Sequence, residues 1–281
     1  MKFKSIGSFT PKNPYFLAPM EEVNDIAFRL LCQKAGAGLV YTGMIHPQSH
    51  QEFNFDDKPA LQLFCTTTKG IKEFIEKNDD NVVMWDFNLG CPAKTARKHG
   101  FGSFLHHDLE SIEEIIKTIR ESTKKPVTIK IRKSSKALKI IKMAEKYCDA
   151  VCIHPRTQIQ GYGGVPDVDF AKKVKDSVNI PVIYSGNIDE NNAKEFLETF
   201  DFVMIARNAI GNPNIFAKLT NNDVKITFND YLDLAKKYNL PFRQIKFQAM
   251  NFTKGMDNAK ELRLGIFKAK RVSEIREIFN Q

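Results

Sequence analysis

The chain has 281 residues, 42% of them hydrophobic, and a formal net charge of +9. That size suits one barrel-sized domain with an appendage, and no run of about 18 apolar residues is present that could cross a bilayer, so no membrane partner is expected. The start, Met1-Lys2-Phe3-Lys4-Ser5-Ile6-Gly7, lacks a signal-peptide core, so the expected location is cytoplasmic and Cys32, Cys65, Cys91, Cys148 and Cys152 read as free thiols.

Taken in chain order, short apolar runs at 15–18, 39–41, 60–64, 84–88, 127–131, 150–154, 182–185 and 202–206 read as eight strands. Most are near-continuous in Val, Ile, Leu and Phe, as strands covered on both faces are. Amphipathic stretches at 26–35, 109–122, 135–147, 167–177 and 190–199 read as helices between them; in 109–122, Ile112, Ile115, Ile116 and Ile119 recur at helical spacing. The connection 41–58 shows no clear helix and reads as a long working loop. Eight alternations predict an α/β fold, a (β/α)8 TIM barrel of parallel strands. An open doubly wound sheet would want a glycine-rich first turn, and Ala18-Pro19-Met20-Glu21-Glu22 is not one.

From about residue 221 no β-like run remains, and 229–238, 243–252 and a divided 259–279 read as helices. The expected organisation is therefore a barrel over 1–220 and a small C-terminal helical domain over 221–281. That last segment carries 12 Lys+Arg against 7 Asp+Glu. A basic end on a nearly balanced body suits a docked polyanion, although a solvated helical face produces the same pattern.

In such a barrel the chemistry sits at the C-terminal ends of the strands. Those ends read Ala18-Pro19-Met20, Gln62, Asn88-Leu89-Gly90-Cys91-Pro92, Lys130 with Arg132, His154-Pro155-Arg156, Ser185-Gly186-Asn187 and Ala206-Arg207-Asn208. Turns after strands 7 and 8 commonly hold phosphate through backbone N–H groups, and Arg207 can add a charge-assisted bond. Gln62 is an amide inside an apolar strand, and its donors and acceptor suit a flat heterocycle. Lys130 points opposite to Ile129 and Ile131; inside a barrel it needs an anion or an electron-rich ring, or an ion pair across strands, for instance with Asp86. Cys91, between Gly90 and Pro92 on a tight loop, is the thiol placed for proton transfer or nucleophilic attack. Cys148 and Cys152 lie four apart with His154 beyond, a strand spacing that assembles no ligand set, so no metal is expected.

In these motifs the chain resembles the tRNA-dihydrouridine synthases. The resemblance runs from about Pro14 to Phe216 through Leu17-Ala18-Pro19-Met20, Asn24-Asp25, Phe28-Arg29, Leu61-Gln62-Leu63-Phe64 and Asn88-Leu89-Gly90-Cys91-Pro92-Ala93-Lys94 with Gly102-Ser103. It continues through Lys130-Ile131-Arg132, His154-Pro155-Arg156-Thr157, Ser185-Gly186-Asn187-Ile188 and Ala206-Arg207-Asn208-Ala209-Ile210-Gly211-Asn212-Pro213. The resemblance implies bound FMN, contacted by Pro19, Met20, Gln62, Lys130 and His154, with its phosphate held by Ser185, Gly186, Asn187, Ala206 and Arg207. It further implies Cys91 as the proton donor, Asn88, Arg132 and Arg156 near the target uridine, NADPH or NADH as a transient reductant, and tRNA docked on the C-terminal helices. No protein partner is implied. The sequence departs from the family where Glu21 and Glu22 follow Pro19-Met20, and where Ser185-Gly186-Asn187 and Ala206-Arg207-Asn208 stand in place of Asn-Gly-Asp and Gly-Arg-Gly.

The expected activity is reduction of the C5–C6 double bond of uridines in tRNA to 5,6-dihydrouridine. Two alternatives use the same residues: a small-molecule flavin oxidoreductase of the dihydroorotate dehydrogenase-like barrel type, for which a basic helical tail is superfluous, and a non-catalytic tRNA-binding module, for which Cys91 and Lys130 are superfluous.

Overall fold

A computed structural model of the chain describes residues 4–280; Met1, Lys2 and Phe3 of the signal-peptide reading, and Gln281, lie outside the described residues. Eight strands, β1 (Tyr15–Leu17), β2 (Leu39–Ile45), β3 (Ala60–Leu63), β4 (Met84–Leu89), β5 (Val127–Arg132), β6 (Ala150–His154), β7 (Val182–Ser185) and β8 (Phe202–Ile205), close into a barrel in sequence order. Every neighbouring pair is parallel, β8 with β1 included. Among the described residues no helix is long and apolar enough to cross a membrane.

Strand alternation explains why the runs look apolar throughout. Trp85, Phe87, Ile129, Ile131, Val151 and Ile153 face outward and join the cluster packed under the helices. Phe16, Leu39, Tyr41, Met84, Cys152 and Phe202 face inward and fill the barrel floor. Ile6 and Phe9, paired by a short antiparallel bridge, extend that inner cluster below the strands. This plug is too short to leave a periodic signal.

The helices between strands are α1 (Ile26–Ala35), α2 (Ile71–Asn78), α3 (Lys94–His99), α4 (Leu109–Ser122), α5 (Ala137–Ala144), α6 (Val168–Ser177), α7 (Ala193–Leu197) and α8 (Asn214–Thr220). The amphipathic stretches mark α1 and α4 to the residue, with Asp25 and Asp108 capping their N-termini through side-chain oxygens. The expected helices at 135–147 and 190–199 are shorter than their patterns, and α2, α3 and α8 have no counterpart in the sequence reading. At six and seven residues, α3 and α8 show too few turns for periodicity to register, whereas α2 does carry Ile71, Phe74 and Ile75 at helical spacing and was legible in principle. The long connection after β2 is indeed without a helix. It is pinned by Arg29, whose guanidinium donates to both Asp57 oxygens at 2.7 and 2.8 Å and to the Asn24 and Asn54 carbonyls.

Beyond the barrel come α9 (Phe228–Lys237), α10 (Phe242–Phe252), α11 (Ala259–Lys268) and α12 (Val272–Phe279). Thr227 and Asp230 form a reciprocal capping box at the start of α9. Phe228 stacks on Tyr231 and Phe279 and meets Phe252 edge-on, forming the small core of this segment.

Candidate active site

The inward alternation that fills the floor with apolar groups changes character one layer higher. There Gln62, Asp86, Thr128 and then Asn88, Lys130 and Arg132 take the inward positions of β3, β4 and β5, while His154 and Ser185 end β6 and β7. A cleft of ≈ 730 Å³ opens above this layer, a size ordinary for a cofactor. Its wall includes Pro19, Met20, Gln62, Asn88, Cys91, Lys130, Arg132, His154, Arg156, Ser185, Gly186, Asn187, Ala206 and Arg207. All fourteen candidate residues therefore meet in one place.

A directional hydrogen-bond relay runs beneath the cleft. Thr128 Oγ1 donates to Asp86 Oδ1 at 2.5 Å, Gln62 Nε2 donates to Asp86 Oδ2 at 2.6 Å, and Asn88 Nδ2 donates to Gln62 Oε1 at 2.7 Å. Asn88 Oδ1 then accepts the backbone N–H groups of Gly90 and Cys91 at 3.0 and 2.9 Å, folding the chain back after β4. The Cys91 carbonyl accepts from the Ser103 N–H and hydroxyl, and Gly102, at φ +65°, lies so close that a Cβ would sit 2.8 Å from that oxygen. The motif glycine and serine are thus a bed for the thiol loop. Burial raises the Cys91 thiol above its ordinary value, against the pull of the Ala93 N–H and the charges of Arg132 and Lys130. The thiol keeps its proton at neutral pH, as a proton donor must.

Lys130 makes no ion pair with Asp86, and among the described residues it has no hydrogen-bond partner. Asp86 instead serves Thr128 and Gln62, and burial pushes its carboxyl up to about 7 against those two bonds and the Lys130 charge. An ammonium aimed into a barrel without a bonded counter-ion is a donor awaiting an anionic or electron-rich ligand.

The opposite rim is cationic. Asn187, at φ +54°, directs its side-chain oxygen to Arg156 Nη2 at 3.0 Å and Arg207 Nη2 at 2.9 Å. Arg156 also donates to the Gly163 and Gly164 carbonyls, and Arg132 to those of Gly90, Thr157 and Gly161. Both of these arginines are only 1% exposed. Each lines the cleft, but four of their hydrogen bonds, two from each, hold the glycine-rich loop after β6, a use the sequence reading did not include. His154 accepts from Arg156 at 3.2 Å if its Nε2 is unprotonated; burial first, then Lys130 and the arginines, push its pKa down to about 2, so the imidazole is neutral. Asn208 is outside the left-handed region, so the loss of the family's glycine there carries no strain. Its Nδ2 donates to the Ile188 carbonyl at 2.8 Å and ties the two turns together.

The sequence reading missed Tyr162, whose ring lies 5.6 Å under the Arg132 guanidinium and lines the cleft. Its loop has no periodicity to reveal it. Asp86 figured only as an ion-pair candidate for Lys130, and Thr128 not at all; strand alternation from Asn88 and from Lys130 would have found them. Glu21 also lines the cleft, its carboxyl lifted by desolvation and by Glu22.

The sequence model of the family described as Dihydrouridine synthase (Dus) matches residues 16–281. The chain belongs to the dihydrouridine synthase family. It is 32% identical over 235 residues to tRNA-dihydrouridine synthase B of Pasteurella multocida (strain Pm70), covering 75% of this chain and 70% of that protein. To a probable tRNA-dihydrouridine synthase of Rickettsia bellii (strain RML369-C) it is 35% identical over 236 residues, covering 76% and 72%. Among solved structures, histamine dehydrogenase from Rhizobium sp. 4-9 superposes with TM-score 0.57 at 12% identity, over 79% of this chain and 44% of that one. Morphinone reductase in complex with tetrahydroNAD gives 0.54 at 11% identity, over 82% and 93%. These two show that the barrel is shared, and their sequences are too distant to carry more.

Proposed function

We propose that this dihydrouridine synthase family member reduces uridine in tRNA to 5,6-dihydrouridine with FMN as its cofactor. The observation that carries the reading is the meeting of one protonated thiol, Cys91, with an unpartnered ammonium, a donor-rich amide layer and a cationic rim in a single cleft. The residues fit the cofactor. The turns Ser185-Gly186-Asn187 and Ala206-Arg207 suit its phosphate, Pro19 and Met20 border its ring, and Gln62 keeps one Nε2 hydrogen free for the ring edge while its oxygen is held by Asn88. Lys130 and neutral His154 complete the set.

Bound there, FMN would be reduced by NADPH or NADH and would supply the hydride that adds to C6 of the uracil ring. Cys91 delivers the proton to C5, leaving a thiolate that Lys130 and Arg132 stabilise. The second Asn88 Nδ2 hydrogen rests on a weak acceptor, the Met44 thioether at 3.9 Å, and can turn to a uracil carbonyl, as can the unbonded Arg132 Nη2. Arg156 holds the rim and turns with its remaining capacity toward the same base. The pyrimidine has to leave its stack to reach the thiol, so the RNA is opened locally. Residues 221–281 form the RNA-docking segment in this reading, and a tRNA substrate puts the protein in the cytoplasm.

The test is dihydrouridine mapping by mass spectrometry in tRNA treated with wild-type or Cys91→Ala protein. The variant should keep a flavin spectrum and lose roughly 100-fold or more in rate, the low end for a general acid. A variant as fast as wild type, or a wild-type protein unable to hold flavin, would refute the proposal.

A further inference from the structure

Helix α10 meets the barrel at the loops after β1 and β8, the strands that close it, and it holds the first of these with polar side chains. Gln248 Nε2 donates to the Val23 carbonyl at 2.7 Å and to Asp25 Oδ2 at 2.8 Å. One turn earlier, Gln244 Nε2 donates to the Glu22 carbonyl and to the same Asp25 oxygen, both at 2.7 Å. Tyr231 of α9 adds its hydroxyl to that oxygen at 3.2 Å. Asp25 meanwhile caps α1 with its other oxygen. The loop so held, residues 18–25, is the one that brings Pro19 and Met20 to the cleft.

At its far end the same helix reaches the β8 turn. Gly211 lies so close to α10 that a Cβ on it would sit 2.0 Å from the Asn251 carbonyl oxygen. Just past the helix, Lys254 Nζ donates to the Arg207 carbonyl at 2.9 Å. The two loops belong to adjacent strands, joined by the Ala18 N–H to the Ile205 carbonyl at 2.8 Å. Helix α10 therefore spans the seam of the barrel and grips both cleft-lining loops that flank it. Gln248 is wholly buried, and its Oε1 has no partner, so both its N–H groups are committed to the loop at the expense of its own acceptor.

We propose that Gln244, Gln248 and Lys254 are positioning residues for the cofactor, through the loops after β1 and β8. This rests on the FMN reading above and assigns a second role to a segment that reading gives to RNA. A brace of this kind sets the geometry of Pro19, Met20 and Arg207 without touching the ligand. Its loss leaves the cleft residues intact but lets their loops sample other positions, which lowers affinity for the ligand they hold.

The experiment is titration of flavin-free full-length protein with FMN, read by flavin fluorescence, at a temperature well below unfolding. Gln244→Ala/Gln248→Ala should weaken FMN binding at least tenfold, and Lys254→Met, at an exposed position that leaves the fold undisturbed, at least threefold. Thermal unfolding of each variant is followed alongside. A lower unfolding temperature with FMN affinity within twofold of wild type in both variants would show a merely structural contact and overturn the proposal. Wild-type protein that binds no FMN would sink the functional reading and the brace together, whereas tight wild-type binding with unaffected variants sinks the brace alone.

Discussion

Replacing Asp86 by Asn probes a carboxyl that is fully buried and serves two donors, and its effect on stability should depend on pH in a calculable way. In the folded chain the group titrates at about 7, against an ordinary value of 3.8. A carboxyl with a raised folded-state pKa binds its proton more tightly when folded. It costs nothing below the unfolded value, and its cost grows as pH rises toward the folded value. A rise of roughly three pH units corresponds to roughly 4 kcal/mol lost between about pH 4 and pH 7. The asparagine side chain cannot ionise, keeps the shape and can still accept from Gln62 while Thr128 accepts from its amide. Urea unfolding of flavin-free wild-type and Asp86→Asn proteins should therefore show the variant gaining on wild type by roughly 3–4 kcal/mol from about pH 4.5 to about pH 8. Taking the difference cancels the other titrating groups. A wild-type-minus-variant difference that is the same at both ends of this range would refute the assignment of a raised pKa to Asp86.

Two further outcomes rest on charges elsewhere. Asp57→Ala leaves Arg29 buried without its bidentate partner, so urea unfolding should show a loss of about 3–5 kcal/mol, with the connection after β2 becoming protease-sensitive; a loss under about 1 kcal/mol would show that the pair is dispensable. The affinity for tRNA should fall steeply with salt. Neutralising Lys268 and Lys270 should reduce the log–log slope by about one per lost phosphate contact, while Arg271, held by Glu274 at 2.9 Å, should contribute less. A slope that is unchanged by those substitutions would place the RNA path away from α11.

Much of the barrel was legible because covered strands carry a dense apolar signal and because eight such runs alternate with polar or amphipathic stretches. All eight strands were found, and β6 and β7 to the residue. What stayed hidden has physical reasons. Helices α3 and α8 have at most two turns, and their sequences hold too little periodicity to separate from loop, whereas in α2 the spacing of Ile71, Phe74 and Ile75 was there to be read. The Ile6–Phe9 plug makes sense only against a barrel floor that lies far away in sequence. Asp86 and Thr128 were legible in principle, because inward positions repeat at every second residue and Asn88 and Lys130 already marked the face of β4 and β5. The neutral state of His154 was not, since it depends on burial and on four cations brought together from β5 and the turns after β6 and β8.

At the turns after β7 and β8, departures from the family's usual residues take on meaning only through geometry. Asn-Gly-Asp is usual where Ser185-Gly186-Asn187 stands, and the change from carboxylate to amide removes a negative charge from the rim that gathers Arg156 and Arg207. The Asn187 oxygen can still accept from both guanidinium groups, but it does not neutralise them. The rim therefore keeps more net positive charge than an acidic turn would leave, which favours an anion in the cleft. At Asn208 the side chain that replaces glycine stands on backbone outside the left-handed region and cross-links the two turns through Ile188. Both departures thus preserve what phosphate binding needs, namely exposed backbone N–H groups and unneutralised cations, and neither weakens the case that this cleft holds a phosphorylated cofactor.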